Sequence, residues 1–471
     1  MKKRDNKHLC GLTAQEIFEG RQYRGRSINF GDLLVPNRHL DFSLDIVSLD
    51  TLLTPNIPLK IPLVSSPMDT VTTARMGLGM ADSGGLGFLH ANFDSFQQKR
   101  EVGKVKFGLV INPFVLSPNM RMEFLEFVRG KYSHIPITED GAPNGKLVGM
   151  IPKSFRSRPN YETIEDCLND DKVKSPTIVL RGDILYPNGV VNREKALAIM
   201  DEKIATALTV VDEYHRLVGL IIASDLRVSN NISSNATLDA EGRRRVAAAI
   251  TTLPEDYERR VPQLIEAGVD ALCIDTAQGD SKFVANTINW IKKRYPFAQV
   301  IAGNISAAKG ARFLVDVGAD ALRVGNGSGG ACTTHEVTHT GTASAVGVYR
   351  VAAALRGMNI PIIADGGIRS AGDMFIALAL GADTVMCGTY LAPLMESAAP
   401  LVTIMENGKP VLRKKHRGMA SASAQRDRVV VRYGAEQVRM PEGKEDYLEP
   451  QRTPLAEFVA ENMAGVRQAF A

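Results

Sequence analysis

One phrase that recurs three times limits what this chain can fold into: Ala267-Gly268-Val269-Asp270-Ala271, Val317-Gly318-Ala319-Asp320-Ala321 and Leu380-Gly381-Ala382-Asp383-Thr384. Each phrase closes a helical pattern and opens a short apolar run: Leu272-Cys273-Ile274, Leu322-Arg323-Val324 and Val385-Met386-Cys387. The glycine fits the left-handed position that ends a helix, and the run fits a buried strand. Five more runs belong to the series: Leu63-Val64, Leu86-Gly87-Phe88-Leu89, Ala247-Ala248-Ala249-Ile250, Val300-Ile301-Ala302 and Ile362-Ile363-Ala364. Helical segments such as 307–317 and 371–380 alternate with them. Eight such units predict an α/β protein, a closed parallel (β/α)8 barrel of the TIM type.

The pattern breaks between about residue 104 and residue 229. There a strand, a polar turn and a second strand occur twice, from His134-Ile135-Pro136-Ile137-Thr138 to Leu147-Val148-Gly149-Met150-Ile151 and from Ala207-Leu208-Thr209-Val210-Val211 to Leu217-Val218-Gly219-Leu220-Ile221. The expected organisation is a barrel from residues 1–103 and 230–471 with an inserted module at 104–229; 471 residues suit such a barrel plus a module. The tandem resembles a CBS pair, a Bateman-type nucleotide sensor; an α+β lid without a ligand is the alternative.

Composition excludes several function classes. Charged residues make up 23% with a net charge of +4, acids and bases being interleaved, so no nucleic-acid partner is expected. No apolar run suits a membrane span or signal peptide, and the protein is expected to be soluble and cytoplasmic. The five cysteines (Cys10, Cys167, Cys273, Cys332 and Cys387) form no CxxC pair, which argues against disulfides and zinc.

The active face of such a barrel lies at the C-terminal strand ends. After the seventh run comes Asp365-Gly366-Gly367-Ile368-Arg369 and after the eighth Gly388-Thr389, glycines whose backbone N–H groups suit a phosphate. After the sixth lies Gly325-Asn326-Gly327-Ser328-Gly329-Gly330-Ala331-Cys332-Thr333-Thr334. This glycine-rich loop delivers one thiol to the active face, and Cys332 is the candidate nucleophile. Cys273 and Cys387 fall within strand patterns and read as core.

These segments, with Ser65-Ser66-Pro67-Met68-Asp69-Thr70, Asp275-Thr276-Ala277-Gln278-Gly279-Asp280-Ser281 and Ala302-Gly303-Asn304, resemble the IMP dehydrogenase/GMP reductase family in order and spacing over nearly the whole chain. The resemblance implies a purine nucleotide with its phosphate on Gly366, Gly367, Gly388 and Thr389 and its ribose on Asp365. Ser66, Arg323, Met419 and Glu442 complete the substrate residues, with Glu442 facing the base. It implies attack of Cys332 on C2 of the base, hydride transfer to NAD near Asp275, Asn304 and Gly325, and hydrolysis of the thioimidate to XMP. Thr334 would help activate water or ammonia. Arg432 would be the base and Tyr433 its partner, on a flap resembling that of the dehydrogenases.

The runner-up is an NADPH-dependent GMP reductase with a CBS module; an alternative of another class is a non-catalytic purine nucleotide sensor. Several positions depart from the family: Gly341-Thr342-Ala343-Ser344 replaces a Pro-Gln phrase, Gly330 replaces a serine that contacts phosphate, and His416 replaces a tyrosine. Gly327, Gly329 and the Cys332 carbonyl are expected to form half of a K+ site, since the tail ends at Ala471 without the segment that completes it. In the module, Asp225 matches the ribose-binding aspartate of the second CBS repeat, while Phe155 stands at its counterpart in the first. Adenine or guanine nucleotide effectors and a homotetramer, sometimes paired into an octamer, are implied.

Overall fold

The computed structural model describes residues 12–20, 26–36, 39, 41–129, 132, 134–152, 155, 161–169, 175–226, 234–427 and 440–470. The chain divides into two compact units, one of Met1–Gln98, Ile232–Thr237 and Arg245–Ala471, the other of Lys99–Asn231 and Leu238–Arg244.

The first unit is a closed barrel of eight parallel strands. In chain order these are β1 (Leu63–Ser65), β2 (Leu86–Leu89), β3 (Val246–Ile250), β4 (Ala271–Asp275), β5 (Gln299–Ile305), β6 (Ala321–Val324), β7 (Ile362–Asp365) and β8 (Thr384–Cys387). All eight apolar runs picked from the sequence lie inside these strands. Their side chains are buried because the barrel is filled on one face and covered by helices on the other, which is why the strands read as continuous apolar runs. The inner layer includes Val64, Phe88, Ala247, Cys273, Ile301, Ala321, Ile363 and Met386.

The covering helices include α1 (Ala74–Asp82), α2 (Pro254–Glu266), α3 (Lys282–Arg294), α4 (Ala308–Asp316), α5 (Thr334–Thr338), α6 (Ser344–Ala354), α7 (Ala371–Ala379) and α8 (Leu455–Phe470). The recurring glycine stands two residues past the end of α2, α4 and α7 with φ of 82°, 100° and 105°, the backbone turn that aims the chain back into the sheet. Then comes the aspartate. Asp270, Asp320 and Asp383 accept the N–H that opens the neighbouring strand, from Val246, Val300 and Ile362, at 2.8, 2.6 and 2.7 Å. The repeated phrase is thus a joint that fixes strand register.

Between β2 and β3 the chain makes its long excursion, yet the two strands pair in parallel, Gly87 to Val246 through Leu89 to Ala248. A buried polar staple sits at this seam. Gln98 donates to the carbonyls of His90 (3.0 Å) and Ala249 (2.9 Å) and accepts from Arg260 at 2.7 Å; fully buried Arg260 is gripped by Asp256 at 2.8 Å and donates to the Phe93 carbonyl at 3.0 Å.

After the barrel, β9 (Leu401–Glu406) and β10 (Lys409–Arg417) form an antiparallel hairpin, and β11 (Glu445–Leu448) pairs with the end of β10. The sequence reading names no strand here, although the hairpin turn, Asn407-Gly408, has positive φ at both residues, a common tight-turn pair.

In the second unit, His134–Thr138 pairs antiparallel with Leu147–Pro152, and Ala207–Val211 with Leu217–Ile222. Both strand-turn-strand expectations appear as hairpins. Lys146 and Arg216 form an antiparallel bridge, with Leu147 N–H donating to His215 and Leu217 N–H to Gly145, both at 3.0 Å, so the two hairpins meet through equivalent positions. Among the described residues no helix is long and apolar enough to cross a membrane.

Candidate active site

The C-terminal ends of the strands carry a connected set of polar side chains. Arg323 projects from β6 and is buried between two carboxylates: its Nη1 donates to Asp275 at 2.7 Å and its Nε to Asp365 at 2.9 Å. Asn304, on β5, donates from Nδ2 to Asp365 at 2.7 Å and to the Gly325 carbonyl at 2.7 Å. Burial alone would push the Arg323 pKa down, but Asp365 and Cys273 outweigh it and hold the guanidinium above its ordinary value. Four residues from four consecutive strands are thereby fixed in orientation. Asn304 Oδ1 is shielded from solvent and has no hydrogen-bond partner among the described residues.

The loop after β6 lies over this network. Ser328 donates to the Asp365 carbonyl at 3.3 Å, and Cys332, half-buried, closes a turn through its N–H to the Gly329 carbonyl at 2.9 Å. Cys332 Sγ is 3.2 Å from Thr334 Oγ1, which donates to Glu442 Oε2 at 2.8 Å. Thiol, hydroxyl and carboxylate form a chain along which a proton can move. By contrast, Cys273 and Cys387 are buried in strands, and burial, with the negative charge of Asp365, pushes the Cys387 thiol up. Among the described cysteines that leaves Cys332 as the accessible thiol at the barrel mouth.

A clamp from distant sequence holds the cysteine loop. Thr333 N–H donates to the Glu442 carbonyl (2.9 Å), Lys444 N–H to Ala331 (3.0 Å), Gly418 N–H to Lys444 (3.0 Å) and Glu442 N–H to Ala420 (3.1 Å). Gly443 bridges both Cys332 and Ser421. A side chain on Gly418 would collide with the Ala331 carbonyl, and one on Gly443 would come within 2.9 Å of Ser421 N and 3.2 Å of Ala331 O. Only glycine permits this approach.

The other expected substrate positions gather at the same mouth. Ser66 N–H donates to the Cys387 carbonyl at 2.9 Å, and Met419 Sδ accepts the Asp69 N–H at 3.3 Å. Gly388 lies against the Ser66–Met68 turn, and Thr389 faces Gly330. Gly366 and Gly367 both have positive φ, 85° and 79°. Arg432 and Tyr433 lie outside the described residues. The Gly329 carbonyl accepts the Cys332 N–H at 2.9 Å.

Two sets of contacts in this region lay beyond the sequence reading, which noted His416 only as a departure from the family. Arg417 grips Asp69 at 2.8 Å, and Asn92 donates to the same carboxylate at 2.8 Å; desolvation would raise the Asp69 pKa, but Arg417 and Asn92 hold it below the usual value. His416 joins Thr70 to Thr389. Arg417 stands 348 residues from Asp69 and His416 346 from Thr70, beyond the reach of local pattern.

Residues 27–471 match a family model described as IMP dehydrogenase / GMP reductase domain. Inosine-5'-monophosphate dehydrogenase of Aquifex aeolicus is 37% identical over 94% of this chain and 89% of its own length. The enzyme of that name from Toxoplasma gondii is 38% identical over 88% of this chain and 73% of its own. Among solved structures, a cysteine-to-alanine variant of GMP reductase from Trypanosoma brucei, in complex with guanosine 5'-monophosphate, superposes with a TM-score of 0.65. It is 28% identical, covering 96% of this chain and 93% of that one.

Proposed function

The chain belongs to the IMP dehydrogenase/GMP reductase family, and from that premise we propose that it oxidises IMP to XMP with NAD, in guanine nucleotide synthesis. The observation that carries the reading is the contact series Cys332 Sγ, Thr334 Oγ1, Glu442 Oε2 at the barrel mouth. As the nucleotide binds, Asp365 accepts from the ribose hydroxyls and the backbone of Gly366, Gly367, Gly388 and Thr389 holds the phosphate, with Ser66, Arg323 and Met419 lining the site. The Cys332 thiolate adds to C2 of the purine, its proton leaving along Thr334 and Glu442. NAD, when bound, supplies the acceptor for the hydride that leaves C2.

Asp275, Asn304 and Gly325 fit the cofactor side, since Asn304 Oδ1 is a buried acceptor without a partner among the described residues. The resulting thioimidate joins Cys332 to the purine, and water must attack C2 to release XMP and restore the thiol. Arg432, with Tyr433 beside it, takes a proton from that water as base, Thr334 helps to activate it, and the proton held at Glu442 returns through Thr334 to the departing thiolate. No step is routed through a cation at Gly327, Gly329 and Cys332.

The second reading is the NADPH-dependent reduction of GMP to IMP and ammonia. The match to GMP reductase structures favours it, and the Thr334–Glu442 pair would serve ammonia as well as water. The dehydrogenase is preferred because the curated relatives that carry that name are more similar, at 33–38% identity. A non-catalytic nucleotide sensor is disfavoured by the thiol's position in the site.

The second unit, residues 104–229 at its centre, is read as a CBS pair that senses adenine or guanine nucleotides. Asp225 would hold the effector's ribose; its carboxylate lies 3.5 Å from Lys104. The free thiols suit a reducing compartment, the cytoplasm, and the assembly is read as a homotetramer that pairs into octamers.

The test follows nicotinamide absorbance with IMP plus NAD and with GMP plus NADPH, each repeated with Cys332→Ala. A cysteine-dependent rise with IMP is the expected result. A cysteine-dependent fall with GMP would replace it by the second reading, and binding without turnover in either mixture would leave the sensor.

A further inference from the structure

His416 stands on β10 with its side chain fully buried and both ring nitrogens engaged: Nδ1 lies 2.8 Å from Thr70 Oγ1 and Nε2 3.1 Å from Thr389 Oγ1. A neutral imidazole has one donor and one acceptor, so its tautomer decides which way each hydroxyl points. The surroundings of Thr70 settle the choice. Thr70 Oγ1, buried, has two contacts, the Arg417 N–H at 3.5 Å and His416 Nδ1. Were Nδ1 the donor, this hydroxyl would receive two hydrogens while its own proton met no acceptor, a costly state for a buried group. With Nδ1 accepting from Thr70, every proton is placed.

Nε2 then carries the ring hydrogen and donates to Thr389 Oγ1. Among the described residues Thr389 Oγ1 has no other hydrogen-bond partner, so its own hydrogen is free to point away from the ring. Directly opposite lies Gly330, where even a Cβ would come within 3.1 Å of that hydroxyl. The missing side chain leaves the Thr389 hydroxyl uncovered.

We propose that His416 is a positioning residue for the phosphate end of the nucleotide site: by donating from Nε2 to Thr389 Oγ1 it fixes this hydroxyl as a donor to a phosphate oxygen in the gap beside Gly330, and so favours a nucleotide over its nucleoside. The inference rests on the functional reading above and adds to it how this chain, with glycine and histidine at these two positions, recognises the monoester. Burial pushes the His416 pKa down to about 4, against the pull of Asp446 and Asp69, so the single-donor ring persists across the neutral range. Arg417, beside it in sequence, is engaged by Asp69 and Asp427.

The experiment measures binding of IMP, GMP, inosine and guanosine to the full chain by calorimetry, for the wild type, His416→Phe, His416→Gln and Thr389→Val. His416→Phe and Thr389→Val are each expected to weaken nucleotide binding about tenfold, the scale of one lost hydrogen bond to a charged group, with nucleoside binding unchanged. The double variant should be no worse than either single one, because both remove the same donor. His416→Gln, which can keep an N–H toward Thr389, should recover part of the loss. Equal losses for nucleotide and nucleoside, or unaltered nucleotide binding in Thr389→Val, would overturn the proposal; Thr389→Val, at a half-buried site, decides it even if His416→Phe does not fold. Failure of the wild type to bind either nucleotide would instead remove the functional reading itself, and this inference with it.

Discussion

Glu442 meets Thr334 through one oxygen, and Thr334 meets the Cys332 thiol, so removing the carboxylate's charge should disable proton movement without removing the nucleophile. Glu442→Gln is expected to lower turnover about 100-fold, the lower range for a positioned acid–base group, and to slow alkylation of Cys332 by iodoacetamide, because the thiol gives up its proton along this chain. Alkylation that stayed unchanged while turnover fell would show that the thiol loses its proton by another route. Cys332, Thr334 and Glu442 were readable because each sits in a short motif. His416 was visible only as a departure from the family, since its role depends on Thr70 and Thr389 meeting it across the fold. Its burial also has a thermodynamic sign. As pH falls from 6.5 toward 4 the unfolded chain takes a proton on this histidine and the folded chain does not, so stability drops, by about 3 kcal/mol in full. Denaturant titrations at several pH values should show His416→Gln losing less stability than the wild type over that window.

Among the elements, the eight barrel strands were legible because burial on both faces leaves them as uninterrupted apolar runs, three of them announced by a glycine and an aspartate with a mechanical task. The β9–β10 hairpin was not read: its alternating exposure dilutes the apolar signal, and only the Asn407-Gly408 turn marks it. Nor could local pattern show that the end of this hairpin leads to the clamp on the cysteine loop. That clamp tolerates no Cβ at Gly418, which packs on the Ala331 carbonyl. Gly418→Ala should therefore cost about 1–3 kcal/mol as overpacking and depress activity far more than it depresses the melting temperature, because the loop that must move carries the nucleophile. Circular dichroism and nucleotide turnover measured on the same sample separate the two effects. Unchanged activity would mean the loop yields elsewhere.

On the scale of the molecule, the barrel must close across the point where the chain leaves for the second unit and returns. Closure rests on the β2–β3 ladder and the Gln98–Arg260–Asp256 staple. Asp256→Ala strands a buried guanidinium and should destabilise the protein by about 3–5 kcal/mol, read from the denaturation midpoint; a loss below 1 kcal/mol would show that the other partners of Arg260 suffice. Because the staple and ladder lie within one unit, replacing residues 104–229 by a flexible linker should leave a barrel with a reactive Cys332. The division of labour between the units was legible as a change of pattern, whereas the staple was not, since a buried arginine looks like a surface one in sequence. The clamp has a consequence for how such a protein can diversify. Residues before and after 428–439 are fastened to the nucleophile's loop and, through Gly443 and Ser421, to each other. A graft that replaces the stretch between those two feet by that of a relative with a different second half-reaction would therefore start from two anchors already fastened to the loop that carries the thiol.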